Sequence, residues 1–131
     1  MNYEFFNGSI NTPTGFYASG VSADIKKTGD LDLAIIASNP PATSAGIYTK
    51  NIVKGHSLIR TMKITGKNKI RGLVINSGNA NACLGEKGDE DAEKMAEYLA
   101  EALSCSPDEI ITGSTGVIGH PLPMEKIQTG I

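Results

Sequence analysis

Ile111-Thr112-Gly113-Ser114-Thr115-Gly116-Val117-Ile118-Gly119 lies between a short β-prone stretch, Glu109 to Thr112, and a helix-prone one, Pro121 to Gln128. Glycine at every third position lets the chain bend tightly and bring backbone N–H groups close to a ligand. The two hydroxyls between Gly113 and Gly116 add side-chain donors. A turn that follows a strand and precedes a helix is where α/β folds hold anions. Donors fixed there suit a developing negative charge. The stretch matches neither the dinucleotide-binding fingerprint nor the P-loop, because no Lys-Ser or Lys-Thr follows its last glycine. Two readings stand on the residues alone: an anion cradle, or a glycine-rich turn that permits tight packing.

Immediately upstream the same order occurs once more. Ile70 to Ile75 is a strong strand closed by Asn76-Ser77-Gly78-Asn79-Ala80-Asn81-Ala82, and Gly88 to Ser104 is the clearest helix. On that helix Ala92, Met95, Ala96, Leu99, Ala102 and Leu103 fall on one face at three- and four-residue spacing. Asp89, Glu90 and Asp91 crowd its first turn, where they complement the helix dipole. Glu90 and Lys94 are spaced for an i,i+4 pair, and Ser106-Pro107 marks the stop. Asparagine tolerates left-handed backbone and caps turns, so the 76–82 stretch reads first as a structural Asx-rich loop and second as a polar pocket wall. Ser77 is not in a G-x-S-x-G nucleophile elbow.

The first half of the chain reads as β-rich. Gly15 to Ile25 has a loose period-two pattern that suggests a strand broken at Gly20. Lys26 to Asp30 reads as a hairpin turn. Leu31 to Ala37 is apolar except for Asp32 and suits a buried strand, which Asn39-Pro40-Pro41 should end, since proline donates nothing to a ladder. Ala45 to Thr49 is a short strand candidate, Val53 to Ile64 mixes β-branched and basic residues and is another, and Gly66 to Lys69 is a turn. Residues 1–14 are turn-rich and suggest no element. Strands followed by two strand–loop–helix units imply an α/β or α+β fold with helices packed on a mixed sheet.

At 131 residues the chain is one modest domain or a piece of a larger one. Its net charge of −2 argues against a nucleic-acid footprint, which needs a basic stripe. No apolar run reaches the roughly 18 residues that span a membrane. Met1 to Phe6 lacks the basic and apolar regions of a secretory signal. Cys83 and Cys105 lack metal-like or CxxC spacing and read as reduced thiols in a cytoplasmic protein. His56 and His120 are isolated and read as surface or capping residues, although His120 adjoins the glycine loop and could donate to an anion there. Lys26, Lys27 and Lys50 read as solvated surface. The residues thus offer an oxyanion-type loop without an evident nucleophile, metal cluster or carboxylate pair.

Taken in order, the motifs resemble the glutamate N-acetyltransferase (ornithine acetyltransferase) family of arginine biosynthesis. The resemblance rests on the 76–82 and 114–119 stretches, on Gly15 to Gly20, Ile25-Lys26, Asp32-Leu33-Ala34, Ala45 to Asn51 and Leu122-Pro123-Met124. It implies an αββα-type sandwich of two sheets between helices, incomplete in this chain. It implies a precursor that cleaves itself before a threonine, which then heads a β chain and attacks the acetyl group of N-acetylornithine with its own amine as base. Glutamate then accepts the acetyl group from the acetyl-threonine intermediate. Some members also accept acetyl-CoA as a substrate, and no cofactor is implied.

Carried over residue by residue, the resemblance makes Thr115 and Gly116 the oxyanion hole. It makes residues 1–131 the N-terminal α-chain portion of a single catalytic domain that a downstream β chain completes in a hetero-oligomer, inactive alone because the nucleophile and the principal substrate-binding residues lie beyond Ile131. Asn39 stands where the family often has aspartate and Asp24 where it often has glycine. Lys54-Gly55-His56-Ser57 replaces a smaller, more apolar stretch. The rival expectations are a self-cleaving aminopeptidase of related fold and an inactive structural fragment.

Overall fold

The computed structural model describes residues 4, 5 and 7–131, and part of the N-terminal hexapeptide, positions 1–3 and 6, lies outside them. The chain builds β1 (Phe16–Val21), β2 (Leu33–Thr43), α1 (His56–Ile64), β3 (Lys69–Asn79), α2 (Glu86–Leu103), a 3-10 turn at Pro107–Glu109, β4 (Ile110–Val117) and α3 (Met124–Gly130). The strands form one mixed sheet in the order β1-β2-β3-β4. Its first two pairings are antiparallel and β3 runs parallel to β4, with α2 as the connection between them. The fold is α/β, with one sheet among the described residues.

Period-two alternation divides that sheet into two unlike faces. Leu33, Val74 and Ile110 turn inward, where Met95, Ala96, Leu99 and Ala100 of α2 cover them together with Leu122 and Ile127. Burying each such large side chain contributes about 1.5–3 kcal/mol. The helix lies very close to β3. A β-carbon at Gly72 would meet the side-chain ends of Leu103 at 2.8 Å, Ile110 at 2.9 Å and Leu99 at 3.0 Å, so a side chain here would displace them. The periodicity of α2 predicts its buried stripe with one exchange: Ala100 is buried, whereas Ala102 is exposed. Lys87, not Lys94, makes the i,i+4 contact, with Asp91 at 2.6 Å. The helix starts at Glu86, two residues before the expected Gly88, and ends at Leu103, within one residue of the expected Ser104, which caps it in a left-handed conformation.

Several expectations are overturned, each for a local reason. Gly20 does not break β1, which runs on to Val21. β2 continues through Pro40 and Pro41 because Ser38 to Pro41 bulge out of the ladder opposite Arg71: pairing skips from Ala37↔Gly72 to Ala42↔Ile70. β1 ends at the Phe16↔Ser38 pair, so the prolines owe no ladder bond on that side either. Ala45 to Thr49 is no strand; it leaves the sheet with Ile47 fully exposed, since β-propensity without a pairing neighbour builds nothing. Val53 to Ile64 holds α1 instead of a strand. Its buried positions, Ser57, Arg60, Thr61 and Ile64, have helical spacing but are mostly polar, which hides the period from a hydrophobic reading.

The expected Lys26–Asp30 turn is part of a longer connection tied down by Asp32. That buried carboxylate accepts backbone N–H bonds from Ala23 and Ile25 at 2.7 Å and from Lys26 at 2.8 Å. Burial alone would raise its pKa, but the three backbone donors together outweigh it and hold the carboxyl below the ordinary aspartate value. Asp24 has a φ of 57°, a left-handed conformation that glycine adopts without strain. No described helix is long and apolar enough to cross a membrane.

Candidate oxyanion site at the ends of β3 and β4

The two stretches singled out in the sequence are, through Asn79 and Val117, the paired ends of neighbouring strands, and only their last residues leave the sheet. Parallel register sets Asn76 beside Ser114, Ser77 beside Thr115, Gly78 beside Gly116 and Asn79 beside Val117. The glycines and asparagines that read as strand terminators are tolerated because β3 pairs with β4 along the whole of β4, from Gly72↔Ile110 to Asn79↔Val117.

Alternation sends the two hydroxyls of β4 to opposite faces. Ser114 turns toward the helices, where its Oγ lies 3.1 Å from the Ser57 Oγ of α1. Thr115 turns to the face that the helices leave open and is exposed. Its hydroxyl makes no hydrogen bond to a described residue. With Gly20, Leu31, Asp32, Ala34, Ile75 and Ser77 it borders a shallow depression of about 210 Å³. A larger open depression of about 590 Å³ lies elsewhere, between Val21–Asp24 and Glu125–Gly130, and contains neither motif.

β4 is an edge strand, and α1 seals part of that edge. The Ile110 carbonyl accepts from Arg60 Nη1 at 2.6 Å, and the Thr112 carbonyl accepts from Thr61 Oγ1 at 3.0 Å. These groups point away from β3. The period-two alternation of the strand directs the Gly116 N–H to the same side, beyond Ser57 at the end of α1. Gly116 itself has a φ of 133°, and a β-carbon there would lie 2.3 Å from the Gly78 carbonyl carbon and 2.5 Å from the Asn79 nitrogen. Only glycine lets the two backbones pass. The turn that follows is held from β3: Ala80 N–H donates to the Val117 carbonyl at 2.8 Å, and the Asn79 amide donates to the carbonyls of His120 at 3.1 Å and Pro121 at 2.9 Å.

Thr115 and Gly116 are therefore adjacent in the chain, locally fixed, and both present a donor away from the core. That arrangement can hold a negative oxygen but cannot by itself attack a carbonyl, since no base is hydrogen-bonded to Thr115, Ser114 or Ser77 among the described residues. The histidines do not fill this gap. His56 is mostly buried and staples α1 to α2, with Nδ1 2.8 Å from Asp89 and Nε2 accepting from the Leu84 N–H at 3.3 Å. His120 is exposed and meets the site only through its carbonyl. The Asn79 amide is the site residue that sequence reading left as generic loop scaffold. The only signal for it is the density of asparagines opposite a glycine-rich partner.

The ArgJ family model matches residues 17–131. The arginine biosynthesis bifunctional protein ArgJ of Symbiobacterium thermophilum is 45% identical over 130 residues, 98% of this chain and 32% of that protein. Its counterpart in Caldanaerobacter subterraneus is 49% identical over 128 residues, again 98% and 32%. The chain thus spans about a third of the length of these relatives. Among solved structures, the ArgJ protein of Bacillus halodurans superposes with a TM-score of 0.89 at 38% identity, over 94% of this chain and 64% of that one. The Mycobacterium tuberculosis ornithine acetyltransferase complexed with ornithine gives 0.89 at 39% identity, over 92% and 66%. Motifs, fold and these likenesses agree: the chain belongs to the ArgJ family.

Proposed function

We propose that this chain supplies the oxyanion hole of an enzyme that moves the acetyl group of N-acetylornithine to glutamate. The observation that carries the reading is the register of β3 and β4, which fixes Gly116 against Gly78 and leaves the Thr115 hydroxyl unengaged on the open face of the sheet. In this scheme a threonine hydroxyl from the rest of the protein attacks the acetyl carbonyl. The carbonyl oxygen becomes an alkoxide, and the Thr115 O–H and Gly116 N–H donate to it. The threonine's own amine takes the hydroxyl proton and passes it to the amide nitrogen, so that collapse of the intermediate breaks the C–N bond, expels ornithine as an amine and leaves an acetyl ester on the threonine. The amine of glutamate then attacks that ester through a second intermediate, stabilised by the same donors. Being preorganised, the donors need no rearrangement as charge develops.

The remainder of the same polypeptide, including a β chain released by self-cleavage, covers the open face in this reading. That face carries Ala34, Ile36, Leu73, Ile75 and Ile111 with no helix over it among the described residues, and the chain accounts for 32% of its relatives' length. That those relatives are named bifunctional supports a second activity, for which acetyl-CoA as donor to glutamate is the natural candidate.

The test is the full-length protein incubated with N-acetylornithine, with and without glutamate. The reading requires ornithine release that depends on glutamate and yields N-acetylglutamate, and no turnover by residues 1–131 alone. Peptide hydrolysis without acetyl transfer would instead establish the self-cleaving aminopeptidase.

A further inference from the structure

We infer that Asn79 is a positioning residue of the oxyanion site, acting on Gly116 through the turn that follows it; the inference rests on the functional reading above. Both donors of its side-chain amide are engaged, one at each of two successive carbonyls, His120 and Pro121. These are carbonyls, not the free N–H groups of α3, so Asn79 does not cap that helix. Its own carbonyl accepts from Asn76 Nδ2 at 2.8 Å, and Asn76 is fully buried on the helix face. Next in sequence, Ala80 N–H holds the Val117 carbonyl. Residues 76–80 therefore grip the turn at both ends, Val117 and His120–Pro121, while Ile118 and Gly119 between them are exposed.

Gly116 needs such a grip. At a φ of 133°, with no side chain to pack, its peptide is kept in place only by its neighbours. On one side the Gly78–Asn79 backbone blocks it. On the other, the path of 117–121 sets the direction in which the chain leaves. Without the Asn79 amide the far end of the turn, at His120 and Pro121, is released; Val117 stays held by the Ala80 N–H, and the aim of the Gly116 N–H becomes less firmly fixed. A donor misplaced by about 1 Å costs on the order of 100-fold in rate. The ground-state carbonyl oxygen carries less charge than the alkoxide, so substrate binding depends less on the aim of this donor than the transition state does.

The experiment is a double-mutant cycle in the full-length protein with Asn79→Ala, Thr115→Ala and the pair. Turnover is measured with N-acetylornithine and glutamate, alongside thermal unfolding. Asn79→Ala should lower kcat about tenfold or more while KM for N-acetylornithine stays within about twofold, because the lost interaction belongs to the transition state. Added to Thr115→Ala it should cost less than about threefold further, since residues acting as one unit are not additive. A merely structural role would lower the melting temperature and leave kcat per folded molecule unchanged, and that result overturns the inference. Losses that multiply also overturn it, because Asn79 would then act independently of the hole. If Asn79→Ala does not accumulate, the isosteric Asn79→Asp, which turns both donors into acceptors facing carbonyls, takes its place with the same expectations. If Thr115→Ala itself turns over like the wild type, the functional reading fails, and this inference with it. If Thr115→Ala is slow and Asn79→Ala is not, this inference alone fails.

Discussion

Gly116 passes Gly78 so closely that a β-carbon on Gly116 would sit 2.3 Å from the Gly78 carbonyl carbon. Two strand ends separated by more than 30 residues in sequence thus meet backbone to backbone, and the proposed oxyanion donor is built at the contact. Gly116→Ala must both strain a φ of 133° and push the strands apart. Together these should cost about 2–5 kcal/mol. Thermal or urea unfolding of the full-length variant checks this, and a loss below about 0.5 kcal/mol, the usual range for a neutral surface change, would mean the contact is looser than described.

Thr115→Ala separates catalysis from stability. Its hydroxyl is exposed and makes no bond to a described residue, so the variant should unfold within about 0.5 kcal/mol of wild type. In the acetyl-transfer assay kcat should fall about 100- to 1,000-fold, as for loss of one oxyanion donor. Ser114→Ala, on the opposite face of the same strand, is the control: it removes the Ser57 contact and should cost about 1 kcal/mol of stability with little change in kcat.

Asp32 supplies a pH test. Its folded pKa is depressed, so its contribution is complete above the unfolded value of about 3.9 and is lost as pH falls through the lower folded value. Asp32→Asn should destabilise the protein by about 2–3 kcal/mol at pH 7, where charge-assisted bonds to three N–H groups are lost. The gap between wild type and variant should narrow steadily below about pH 4. Urea unfolding at a series of pH values measures it. A gap that stays constant down to about pH 2 would show that the carboxylate is not the stabilising species.

These residues show what a one-dimensional reading can reach. The apolar stripe of α2 and the strand at Ile70 to Ile75 are legible because their periodicity is written in apolar side chains. The buried face of α1 is written in Ser57, Arg60 and Thr61: Arg60 and Thr61 donate to carbonyls of β4 and Ser57 meets the Ser114 hydroxyl, all at long sequence separation, and no hydrophobic pattern carries that. The conformation of the glycine stretch was not legible. It looks like a loop because glycine weakens an isolated strand, yet β3 supplies the pairing that makes it one. Thr115 and Gly116 became legible as a pair through resemblance; that they point away from the core follows only from the register. Asn79 stayed hidden because its two acceptors lie more than 40 residues away.

Arg60 tests the claim that α1 seals the edge of β4. Its guanidinium is buried and donates to the Ile110 carbonyl at 2.6 Å and the Pro107 carbonyl at 2.7 Å, while Nε reaches Glu93 at 2.9 Å. Glu93 is half exposed, so screening limits what the ion pair adds. The larger effect is on the carbonyls: Arg60→Met leaves two acceptors without their donor under α1, at a cost of about 2–4 kcal/mol. Arg60→Lys keeps the charge but not the planar fork, and one ammonium cannot serve both carbonyls and the carboxylate in this geometry. It should recover less than half of the loss. Unfolding of the three proteins in urea gives the ranking wild type, lysine, methionine. A lysine variant as stable as wild type would show that charge, and not the directed sealing of the β4 edge, is what Arg60 contributes.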